Sequence, residues 1–193
     1  MKFAHSAIAA ALGLAFCGAA FAQAGTVQRD VNQQQRIEQG LQSGQLTTRE
    51  ASKLEREESR VERDQARAMQ DGKLTPAEKA RLAREQNRVS RDIYREKHDA
   101  QTGNPNSASS QRMQADVQRN INQQSRIEQG VQSGSLTNRE TARLERGEAR
   151  IDRAEARAGA DGRVGPREQR RIQKAENRES RRIHREKHDA QTK

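Results

Sequence analysis

The chain of 193 residues has no tryptophan, one tyrosine, three phenylalanines and one cysteine. Phe3, Phe16, Phe21 and Cys17 all fall within the first 22 residues, so beyond them Tyr94 is the sole aromatic side chain and no thiol remains. Disulfide staples, a cysteine nucleophile and thiolate metal ligands are thereby excluded from the body of the chain. The missing aromatics also remove the platforms on which single-stranded nucleic acids stack. There is no Gly-rich phosphate loop, no G-x-S-x-G elbow, and no basic-region, zinc-finger or helix-turn-helix reader signature. Neither an enzyme nor a specific nucleic-acid reader is expected. Hydrophobic residues make up 31% of the chain, against about 45–50% in typical globular domains. A core of Leu, Ile, Val, Met and Ala alone is expected to be thin, with little room for a water-excluding site. Carboxylates alternate with arginines along the sequence and are expected to lie on solvated faces, not to converge in a pocket.

The N-terminus supplies the first positive signal. Lys2, an apolar run from Ala7 to Phe21 and the small-x-small sequence Ala20-Phe21-Ala22 describe a secretory signal peptide over 1–22. Cleavage after Ala22 is expected, with Ala24 as the alternative. The run is too short for a first choice as a spanning helix, and bulky Phe16 before Cys17 argues against a lipoprotein. A periplasmic or secreted protein with no transmembrane segment in its mature part is expected. Its charge is basic: 37 Lys and Arg against 27 Asp and Glu, with 16 basic and 14 acidic residues in 23–101 but 20 and 13 in 112–193. Anionic partners follow from that balance, such as lipopolysaccharide phosphates, phospholipid heads or acidic proteins.

Repetition dominates the rest. Residues 28–102 align with 118–192 at a constant offset of 90: Arg36-Ile37-Glu38-Gln39-Gly40 returns as Arg126-Ile127-Glu128-Gln129-Gly130, and Arg95-Glu96-Lys97-His98-Asp99 as Arg185-Glu186-Lys187-His188-Asp189. The domains expected are module 1 over 23–101, a polar Gly/Pro/Ser linker over 102–111, and a more basic module 2 over 112–193. A weaker repeat of 28 inside each module brings back one phrase four times, as SGQLTTRE, DGKLTPAE, SGSLTNRE and DGRVGPRE. Each reads as a helix start. Thr47 with Glu50, Thr75 with Glu78 and Thr137 with Glu140 have capping-box spacing, and Gly165 with Glu168 is the weaker fourth version. Helices are expected near 27–42, 48–70 and 76–100, and 90 residues later. The fold class is therefore all-α: two antiparallel three-helix modules joined by a flexible linker. Leu54, Val61 and Ala68 form the second stripe, which Glu58 and Gln65 interrupt, as Glu148 and Glu155 do in module 2. So polar a seam is expected to pack weakly, and Glu179 in place of Val89 to weaken module 2 further. A second copy could cover the remaining stripe, giving a homodimer.

Three candidate sites emerge. DGKLTPAE and DGRVGPRE resemble the second half of an EF-hand loop, but Arg67 and Met69, or Arg157 and Gly159, stand where the first oxygen ligands belong, so calcium is not expected there. His184 and His188, four apart on a helix, offer half of a Zn, Cu or Ni site, although arginines crowd them and Tyr94 replaces the first histidine in module 1. Arg167, Arg170, Arg171, Lys174, Arg178, Arg181, Arg182 and Arg185 form the densest basic face and the candidate polyanion site.

Nearly all of the chain past the leader resembles small exported proteobacterial proteins sharing the phrases RIEQG, SGxLTxxE and IYREKHD. That resemblance implies export and helical architecture but no reaction. Leu46-Thr47-x-x-Glu50 and its copies at Leu74 and Leu136 are also similar to the repeat of the periplasmic LTxxQ proteins of the Spy and CpxP type, which implies envelope-stress chaperone or metal-stress roles. The function expected is non-enzymatic binding of anionic or partly unfolded partners in the bacterial envelope, possible under stress. The alternatives are a metal-stress protein using His184 and His188, and a purely structural helical protein.

Overall fold

A computed structural model describes residues 17–189, with side chains from residue 24 onward. Most of the leader expected over 1–22 lies outside the described residues. Those residues form six helices and no strand: α1 Cys17–Ser43, α2 Thr48–Ala68, α3 Pro76–Lys97, α4 Ala108–Ser133, α5 Asn138–Ala158 and α6 Pro166–Lys187.

The helix starts are set by the repeated phrase. Thr47 Oγ1 accepts the Glu50 amide at 3.2 Å, and Glu50 Oε2 accepts the Thr47 amide at 2.8 Å. Thr75 with Glu78 and Thr137 with Glu140 close the same reciprocal box, which satisfies two otherwise orphaned amides at each helix start. Gly165 has no side chain, so only half the box forms, from its amide to Glu168 Oε2 at 2.8 Å. Upstream, Gly44 and Gly134 take φ of +75° and +77° to end α1 and α4, a conformation that disfavours other residues.

The modules do not stand apart. The most extensive packing is between them, α2 on α5 and α1 on α4, with α3 and α6 laid on the outside. Both pairs run antiparallel. The start of α2 meets the turn after α5, where Arg49 donates to the Asp161 carbonyl (3.1 Å). The start of α5 meets the turn after α2, where Asn138 donates to the Gly72 carbonyl (2.8 Å). Midway, Ser59 Oγ donates to the carbonyl of Ala149, its own repeat equivalent, at 2.8 Å. Residues related by the 90-residue offset thus meet about a pseudo-twofold axis. The main apolar cluster draws on both modules, from Leu41, Leu54 and Val61 to Met113, Ile121 and Ile151. The apolar stripe left open in the sequence for a second copy is covered within the chain.

The segment read as a linker is only partly one. Ser107 caps α4, accepting the Ser110 amide at 3.1 Å, and helix begins at Ala108. Gly103 pins the corner through its amide to the Gly44 carbonyl (2.8 Å). The weakness expected of module 2 is also offset. Gly147 stands where module 1 has Glu57, and the Glu179 side chain, 7% exposed, occupies the space that a Cβ at Gly147 would need. A side chain lost from α5 is replaced by one gained on α6.

A methyl group at Gly103 would overlap the Leu46 carbonyl oxygen. Gly103→Ala is expected to lower stability by about 1–3 kcal/mol in denaturant melts. Thr137→Ala should cost about 0.5–2 kcal/mol through the lost cap, while Gly165→Ser, which completes the fourth box, should stabilise.

Candidate functional sites

Most of the predicted basic face of α6 is presented to solvent: Arg167, Arg170, Arg171, Lys174, Arg178, Arg181 and Arg185 are exposed and Arg182 half-buried. Arg178, Arg181, Arg182 and Arg185 of α6 join Arg150 of α5 around a cleft of about 460 Å³ floored by Gly147 and Ile151. The equivalent positions on α3 also border a cleft, with Arg88, Arg91 and Arg95 beside Arg36 and Tyr94. There, however, Asp92 replaces the equivalent of Arg182. Asp92 pairs with Arg95 and lies 3.9 Å from Arg88. On α6 Glu179, which also lines the cleft, pairs with Arg182 at 3.5 Å. The exchange of Asp92 for Arg182 leaves the α6 face the more basic of the two, with Glu179 its acid at the cleft.

His184 and His188 are both exposed, with their rings 4.3 Å apart and tilted by 38°. The Nδ1 of His188 is engaged with the His184 carbonyl at 2.7 Å. Among the described residues, no cluster of three potential metal ligands includes a histidine. Module 1 stacks Tyr94 on His98, with centroids 4.1 Å apart and planes 25° apart. The EF-hand-like turns also commit their oxygens locally. Asp71 Oδ1 accepts the Lys73 amide (2.8 Å), Asp161 Oδ1 the Arg163 amide (2.9 Å), and Glu78 caps α3.

The expectation that carboxylates stay dispersed is overturned. The residues that interrupt the second stripe, Glu58, Gln65, Glu148 and Glu155, are buried and face one another across the α2–α5 pair, together with Glu55, Glu62, Glu145 and Asp152. The outer helices and α1/α4 add Asp30, Asp116 and Glu176 to this interior. Antiparallel pairing of two copies of one polar seam brings Glu55, Glu58 and Glu62 of α2 against acids of α5.

Amides hold several of these carboxylates. Gln34 donates to Glu55 (3.0 Å), Gln124 to Glu62 (2.6 Å), and Gln65 and Gln86 to Asp30 (both 2.7 Å). Asn120 donates to Glu155 (2.9 Å) and Asp152 (3.3 Å). Asp30 with Gln65 in one half corresponds to Asn120 with Glu155 in the other. Acid and amide have changed places across the axis, and each half keeps one of each.

Positive charge is almost absent from this interior. Arg119 reaches Glu176 at 3.1 Å, but no ion pair among the described residues involves Glu55, Glu58, Glu62, Glu145, Glu148, Asp152 or Glu155. Burial therefore pushes Asp30, Glu55 and Glu176 up to about 7 and Asp116 to about 8. Burial, then the neighbouring carboxylates, holds Glu58, Glu62, Glu148 and Glu155 well above the ordinary range.

Two other acidic trios repeat at the module ends, Glu50–Glu96–Asp99 and Glu140–Glu186–Asp189, each with oxygens within 4.8 Å of one another. Basic side chains already serve them: Lys53 pairs with Glu96 at 2.5 Å and Arg143 with Glu186 at 3.8 Å.

The class defined by these features is an all-α protein with a basic exterior face and an acidic interior. No family model, curated protein or solved structure matches the chain.

The raised carboxyls fix the sign of the pH dependence. The native state holds protons that the unfolded chain, with carboxyls near 4, releases. Stability from these groups is complete below about pH 4 and is lost as pH rises through about 7 to 8. Thermal melts in metal-free buffer should give a Tm that falls from pH 5 to pH 8.

Proposed function

We infer that the protein binds phosphate-bearing polyanionic surfaces through the α6 face, without catalysing a reaction. One observation carries this reading: the position that neutralises the α3 face, Asp92, is Arg182 on α6, and the guanidiniums there converge on an open cleft. Guanidinium groups suit phosphate because their planar forks donate two parallel hydrogen bonds to its oxygens. The carboxylates cannot serve a partner in the same way, since they are buried. The leader-like N-terminus supports an envelope location, where lipopolysaccharide and anionic phospholipids would carry the matching charge. The Leu-Thr phrase behind the likeness to LTxxQ proteins starts helices here, so it adds nothing to the choice of partner.

Replacing Arg178, Arg181, Arg182 and Arg185 together by Gln should weaken binding to lipopolysaccharide or anionic vesicles at least about tenfold, with helicity unchanged. Binding by the native protein should weaken with salt as charges are screened over about 10 Å at 0.1 M. Asp92→Arg should strengthen binding by opening the compensated α3 face. If the fourfold variant binds both surfaces as the native protein does, the reading is wrong. If it loses only unfolded client protein, the partner is a chaperone substrate and not a membrane polyanion.

A further inference from the structure

The buried acids pose a problem of charge that the rest of the protein does not solve. Glu55 of α2 and Asp152 and Glu155 of α5 bring carboxylate oxygens within 4.8 Å of one another, and all three side chains are fully buried. Three negative charges at that separation, remote from any Lys or Arg, repel strongly in a low-dielectric interior. Protons relieve some of this. Glu62 and Asp152 lie in position to share one.

Further oxygens of this interior have no donor. Glu58, 1% exposed, makes no hydrogen bond through either carboxylate oxygen, and its nearest charges are Asp30, Glu55 and Asp152. Glu148, its repeat equivalent, is 0% exposed and equally unpartnered. The neutral oxygens tell the same story. The amides of Gln34 and Asn120 donate through nitrogen to the trio, and their buried carbonyl oxygens have no partner. Carboxylate and carbonyl oxygens in excess of donors call for a ligand that accepts oxygen lone pairs.

We propose that the α2–α5 interface is a structural binding site for a hard divalent cation of the calcium class, held by Glu55, Asp152 and Glu155 with Glu58 beside them. The ligand set is all oxygen, with no imidazole or thiol, which selects against Zn, Cu and Ni. Calcium takes six to eight oxygens in flexible geometry, whereas magnesium keeps several of its waters and suits a closed, protein-lined chamber less well. The ligands come from both modules, Glu55 and Glu58 from the first and Asp152 and Glu155 from the second. The ion ties the repeat halves together, and its binding is coupled to folding. This site is separate from the α6 face and does not depend on the reading proposed for it.

The test uses the full mature chain, stripped with chelator at pH 7.5. Calcium at millimolar concentration should raise Tm by about 5–10 °C and give a saturable calorimetric titration. Terbium, similar in size, should bind with a luminescence lifetime showing almost no coordinated water. The double substitution Glu55→Gln, Glu155→Gln should abolish the calcium-dependent rise, while its Tm in chelator equals or exceeds that of the native chain, because two buried charges are gone. Should that variant fail to fold, Glu58→Gln and the terbium lifetime on the native protein still decide. Equal Tm in calcium and chelator, with no heat and no terbium signal, would mean the acids hold protons and water alone, and overturns the proposal. Calcium binding unchanged in the variants, or terbium with a full water shell, moves the ion to the exposed trios and overturns it equally.

Discussion

The antiparallel seating of α2 against α5 is the constraint on which the rest depends. It sets the polar seam of one module against the polar seam of the other, and it does so where water is excluded. Had each module closed on itself, Glu58 and Glu148 would interrupt two separate weak seams. Paired across modules, they become neighbours in one interior. The aliphatic cluster around Leu54, Val61, Met113 and Ile151 is modest, and it shares the interior with amides and acids that must be satisfied together. Stability here therefore depends on the protonation of the interior as well as on apolar area.

The two halves are copies that have drifted in concert. Glu57 with Val89 has become Gly147 with Glu179, and Asp30 with Gln65 has become Asn120 with Glu155. In each case the volume or charge lost at one position is regained at a position that touches it. Asp92 to Arg182 is different in kind. It lies on the outer surface, is offset only in part by its pair with Glu179, and leaves one face of the molecule more basic than the other.

Much of the local structure was legible in the sequence. Thr47, Thr75 and Thr137 mark helix starts because a side-chain oxygen placed three residues before a Glu answers a local need of the backbone. The all-α class follows from those marks and from the apolar spacing between them. The arginines of α6 could be read as a face because helical periodicity alone puts them on one side. What covers each stripe could not be read. A stripe shows which side of a helix is buried, but not whether the cover comes from the next helix or from one 90 residues away. The gathering of the acids was missed for the same reason: Glu58 and Glu148 read as interruptions of two separate weak seams until each seam is known to be covered by the other's helix. The one signal available beforehand was the acid–amide exchange at 30/120 and 65/155, and it has meaning only once the halves are seen in contact.

The exchange of contacts at the module ends, Arg49 to the Asp161 turn and Asn138 to the Gly72 turn, has a consequence for ancestry and assembly. Each half grips the other with the surface by which it is itself gripped, which is the geometry of an isologous dimer. The protein is a covalently tethered pair, and the corner at Gly103 replaces a bimolecular encounter with a local one. Tethering frees the halves from identity: each can acquire changes, such as Arg182, that a true homodimer would have to display twice.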